Sequence, residues 1–120
     1  MTTSDRNRLE LCAPGKWQEL REAIKRECAL IGKTLELRIN DQKPGELIVE
    51  RVKDGWVPKR LRLEYDALAL CVKWSCCDPT YSTGAIGFRA FNGSVFFEVN
   101  GINRPLPEIV VDLTSCVVGD

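Results

Sequence analysis

Near Gly32 the spacing of apolar residues changes from helical to alternating, and that switch confines the chain to an α+β fold. Upstream, in GKWQELREAIKRECALIG, Trp17, Leu20, Ile24, Cys28 and Ile31 recur at steps of three and four. At ~100° per residue they fall within an arc of about 80° on a helix. Glu19, Glu22 and Arg26 lie opposite, and Glu22 and Arg26 are spaced to pair. Gly32 is placed to end the helix. Downstream, in TLELRIN, Leu35, Leu37 and Ile39 alternate with Glu36 and Arg38, the pattern of a strand with one buried face. The helix therefore lays its apolar stripe on a sheet.

The alternation continues to about residue 99. NDQKPG is turn chemistry, ELIVERV reads as a second strand and KDGWVP as another turn. In RLRLEYDALALCVKW, a two-residue turn at Asp66-Ala67 sets Tyr65 opposite Leu68, Leu63 opposite Leu70, and Leu61 opposite Val72. All six side chains then share one face, and a one-residue slip would divide them. Asn92-Gly93 is the strongest short hairpin signal. Closing AIGFRAFNGSVFFEVN on it sets Ile86 opposite Val99, Phe88 opposite Phe97, and Ala90 opposite Val95. The expected architecture is an amphipathic helix on an antiparallel meander of about six strands. It forms a single domain over residues 15–120, preceded by a loose, polar arm at 1–14. Residues 106–118 are read as a short helix opened by Pro107 and Glu108, with Ile109, Leu113 and Cys116 on one side; their valines make a strand the alternative.

A chain of 120 residues with 44% apolar side chains fills a core without staples. Lys and Arg together number 17 and so do Asp and Glu, which leaves no net charge to attract nucleic acid or an anionic membrane. The opening MTTSDRNRLELCAPGK lacks an apolar export segment, and the longest aliphatic run, ALALCV, is too short to span a bilayer. A cytoplasmic location follows as the expectation, with all six cysteines as free thiols. The chain contains no histidine, which excludes every histidine base and removes the commonest zinc ligand.

Cys71, Cys76 and Cys77 stand within VKWSCCDPTYSTG and its preceding residue. On one continuous strand Cys71 and Cys76 point to opposite faces, and Cys71 and Cys77 lie roughly 20 Å apart. Their spacing matches no structural zinc site, so no metal and no cofactor are expected. Cys76 continues the buried parity of Leu68, Leu70, Val72 and Trp74, Cys77 starts a loop over CDPTYSTG, and Cys28 belongs to the helix stripe. STGAIG has two glycines but no following helix, so it is not a phosphate loop. Arg51, Lys53, Lys59, Arg60 and Arg62 form a local basic cluster. Trp17 and Trp74 fall on core parities, whereas Trp56 sits in a turn as a surface contact or a plug.

The outward positions of the later strands carry Ala69, Cys71, Ala85, Gly87, Phe91 and Phe96. A face that meets only water reads more polar than this. Either the C-terminal segment covers it, or a second subunit or ligand does. The candidate contact surface is Cys71, Gly87, Arg89, Phe91 and Phe96. The function expected is a small, non-catalytic binding or protein-interaction module, homodimeric through this outer face. The alternatives are a thiol-dependent redox protein or enzyme using Cys76 and Cys77, and a nucleic-acid-contacting module using the cluster from Arg51 to Arg62.

Overall fold

The structure, a computed structural model, describes residues 3–32, 36–52, 59–78 and 80–118. Helix α1 (Thr3–Ile31) precedes strands β1 (Leu37–Asn40), β2 (Glu46–Arg51), β3 (Lys59–Asp66), β4 (Cys71–Asp78), β5 (Thr80–Phe91), β6 (Ser94–Val99) and β7 (Ile102–Asn103). Helix α2 (Leu106–Val118) closes the chain. The seven strands form one antiparallel sheet in sequence order. The α+β class, the helix on a meander and the short C-terminal helix all match expectation.

The loose arm expected at 1–14 is corrected over its described part: residues 3–14 are the first turns of α1. Pro14 lies inside that helix, where a missing N–H and a ring clash cost roughly 3 kcal/mol. Burial of Leu9 returns about 1.5–3 kcal/mol. Leu9 and Ala13 extend the stripe of Trp17, Leu20, Ile24 and Cys28, and all six are buried. Arg8 Nη1 also donates to the Gly93 carbonyl at 2.7 Å, tying the start of α1 to the β5–β6 turn.

One face of the sheet carries Leu47, Val49, Leu61, Leu63, Val72, Ile86, Phe88, Val95 and Phe97, all buried. Both helices pack on this inner face: α1 across β5 and β6, α2 across β2, β3 and β4, and the two against each other. Of the alternatives for the outer face, coverage by the C-terminal segment is therefore overturned over its described residues. Six of the thirteen α2 residues are buried on the inner side.

Two hairpins test the expected registers. Phe88 faces Phe97 and Ala90 faces Val95, as Asn92-Gly93 requires. Asn92 and Gly93 both have positive φ, 50° and 80°, the conformation of the hairpin turn this dipeptide favours. The Asp66-Ala67 turn is corrected. Asp66 pairs with Cys71, Tyr65 with Val72, Leu63 with Trp74 and Leu61 with Cys76. Asp66 Oδ1 accepts the N–H groups of Leu68 and Ala69, both at 3.0 Å, so residues 67–70 form a longer turn. Each partner moves by an even number of residues, so Leu61, Leu63, Tyr65 and Val72 stay on their expected face, whereas Leu68 moves from that face into the turn. Leu68 is left exposed. The loop expected from Cys77 is also corrected: Cys77 pairs with Tyr81, Ser75 with Thr83 and Asp78 with Thr80. Tyr81 and Thr83 favour extended backbone, so β5 begins at Thr80 and pairs straight back on β4. Leu35, Lys53, Trp56 and Pro79 lie outside the described residues.

Candidate functional site: the outer sheet face and a cavity beneath α2

The register gathers the outer-face candidates on three adjacent strands. Cys71 faces Gly87, Gly87 faces Glu98, Arg89 faces Phe96 and Phe91 faces Ser94. Phe91 and Phe96 are 57% and 40% exposed, unusual for phenylalanines that nothing forces outward. A Cβ at Gly87 would meet only the Glu98 carbonyl oxygen, at 3.8 Å. No packing within the described chain demands glycine there.

Charges of this face are matched across strands and, for Arg62 and Glu64, within β3. Arg62 Nη2 reaches Glu46 at 2.6 Å and Glu64 at 3.3 Å. Lys73 meets Asp66 at 2.9 Å, and Arg89 meets Glu98 at 3.7 Å. The Arg62 hydrogen bond holds the Glu46 carboxyl below its usual range. The basic cluster is divided among separate tasks. Arg62 is occupied by carboxylates, and Arg51 Nη1 donates to the Val117 and Val118 carbonyls at 3.5 and 3.3 Å. That contact sets a cation at the negative end of α2.

The cysteines need one clear correction. Cys76 is not a free thiol: it is joined to Cys116 of α2, with 6.0 Å between the Cα atoms. Cys12, Cys28, Cys71 and Cys77 are free. Burial, with a smaller push from the Glu27 carboxylate, raises the Cys28 thiol to about 11. Burial and then the Asp66 carboxylate raise the Cys71 thiol as well. Both shifts favour the protonated, unreactive form. Among the described residues no three His, Cys, Asp or Glu side chains gather as metal ligands, and no helix is long and apolar enough to cross a membrane.

The bridge walls a cavity that sequence reasoning missed. It measures about 250 Å³ and opens between α2 and the inner face of the sheet, lined by Leu61, Trp74, Ile86, Leu113 and the Cys76–Cys116 pair. Ser82, Arg104, Asp112 and Ser115 supply its polar groups. Arg104 Nη1 meets Asp112 at 2.6 Å, and Arg104 Nε meets Glu108 at 3.6 Å. Trp74 reaches its position because Gly84, its cross-strand partner, has no side chain. A Cβ at Gly84 would lie 2.5 Å from Trp74 Cζ2. Gly84→Ala is therefore expected to lower stability by about 1–3 kcal/mol, since the indole has to move. Chemical denaturation checks this, and in a Trp74→Ala background the same change should cost little.

No family model, curated protein or solved structure matches this chain. The geometry on these two faces is thus the ground for a functional reading.

Proposed function

We propose that this protein is a non-catalytic interaction module that pairs with a second copy of itself through the outer face of its sheet. The observation that carries the reading is the packing of both helices on the same side, which leaves the other side of the sheet uncovered by α1 or α2. On that side Phe91 and Phe96 stand exposed near the β5–β6 turn, and Gly87, Cys71 and Ala85 follow further along the same face, where small side chains permit close approach. In the ion pairs of the face Arg62, Lys73 and Arg89 are each met by carboxylates, so the patch carries no cationic excess in these pairs. A partly apolar patch whose cations are already paired suits an identical patch related by a two-fold axis better than it suits a polyanion. The thiol reading has less support, because Cys76 is held in the bridge and neither Cys28 nor Cys71 has a lowered pKa.

Light scattering over a concentration series tests the proposal. The wild-type chain is expected to reach dimer mass. Phe96→Glu is expected to remain monomeric, because pairing would bury its carboxylate beside Glu98, with which it would have to share Arg89. Its denaturation midpoint as a monomer should stay within the range of an exposed substitution, about ±0.5 kcal/mol. A wild-type monomer throughout the series, or a Phe96→Glu dimer, would count against it.

A further inference from the structure

We infer that the cavity between α2 and strands β3–β6 is a binding site for a small, neutral aromatic molecule carrying one hydroxyl group. Its volume of about 250 Å³ falls just below the usual span of small-molecule pockets, roughly 300–1,000 Å³. One or two fused rings suit it better than a larger ligand. The body of the site is apolar, with Leu61, Ile86, Leu113 and the disulfide around the Trp74 indole. An aromatic ligand can set its ring on the indole in an offset or edge-on arrangement.

The polar groups select against charge. Arg104 is already held by Asp112 and Glu108. An anion would have to displace a carboxylate from Arg104 and lie beside the one displaced. A cation would face the Arg104 guanidinium. A hydroxyl avoids both penalties. Ser82 lies opposite Cys76 on the inner face and lines the cavity, and its hydroxyl is available to bond with the ligand's. The site is also braced on several sides. The bridge fixes α2 against β4, Gly84 makes room for the indole, and the Arg104 ion pairs join the segment after β7 to α2. Walls held in this way reduce the ordering cost of binding. The site lies on the face opposite the proposed dimer surface, so neither reading depends on the other.

Titration of the full-length oxidised chain with 1-naphthol tests the inference by calorimetry and by the Trp74 indole N–H resonance, assigned with a Trp74→Phe variant. Expected are saturable one-to-one binding below about 1 mM, a shift of the Trp74 resonance, and at least about tenfold weaker binding of 1-naphthalenesulfonate. Ser82→Trp, at an exposed position bordering the cavity, is expected to weaken 1-naphthol binding by a similar factor. The wild-type resonance shift keeps the test decisive if that variant does not fold. Absence of saturable binding, a Trp74 resonance that does not move, equal binding of the sulfonate, or binding unchanged in folded Ser82→Trp would each overturn the assignment.

Discussion

Reduction of the Cys76–Cys116 bridge is expected to destabilise the protein by about 4 kcal/mol, the loop-closure value for cysteines 40 positions apart. A domain holds only about 5–15 kcal/mol in total, so the loss is a large share of it. The bridge joins the last turn of α2 to the middle of the sheet. A helix of thirteen residues is marginal by itself in water and depends on its docking. Urea denaturation with and without dithiothreitol measures the effect. Cys116→Ser and Cys76→Ser should reproduce most of it without reductant. Cys77→Ser, on the opposite face of β4, should stay within about 0.5 kcal/mol of wild type. Equal midpoints with and without reductant, or six titratable thiols in unreduced protein, would remove the bridge from the account.

Truncation of Trp17 is the second large effect, at about 3–5 kcal/mol for Trp17→Ala. The side chain is 2% exposed and sits in the stripe by which α1 meets the sheet. Its ring stacks on Tyr65 with centroids 6.2 Å apart, and the aromatic series continues through Phe88 to Phe97. Trp17 Nε1 donates to the Pro44 carbonyl at 2.8 Å, so the same residue pins the β1–β2 turn to the helix. Alanine removes the buried surface, the stack and the hydrogen bond together. Trp17→Phe keeps part of the stack and should fall between alanine and wild type. The urea midpoint should drop in that order with an unchanged slope, because the surface exposed on unfolding is nearly the same. A Trp17→Ala midpoint within 0.5 kcal/mol of wild type, the range of exposed substitutions, would contradict this packing.

Much of the fold was legible because periodicity reports burial directly. The stripe from Trp17 to Cys28, the alternation from Leu61 to Tyr65 and the Asn92-Gly93 turn each placed side chains on their observed faces. A second signal of the same kind was overlooked. Asn100-Gly101 has φ values of 54° and 79° and turns the chain from β6 into β7, the seventh strand. Parity also carries Cys71, Gly87, Arg89, Phe91 and Phe96 to one side of the sheet.

The misplaced parts share one cause: local chemistry was overruled by distant partners. Pro14-Gly15 reads as a break, yet α1 continues through it because Leu9 and Ala13 are buried with the rest of the stripe. Asp66-Ala67 reads as a tight turn, yet the cross-strand partners favour a longer one with identical parity. Cys76 and Cys116 each read correctly as facing the core. Their pairing required that α2 lie over β4 and not on the sheet's other face, and nothing in the sequence near either cysteine carries that information. By itself the sequence determined the helix, the meander and the two faces of the sheet, because burial on one side imposes a repeat that can be read locally. Only the tertiary structure decided which face α2 covers, which cysteines join and where a cavity remains. Those depend on contacts between segments forty or more residues apart, and such contacts leave no periodic trace in the chain.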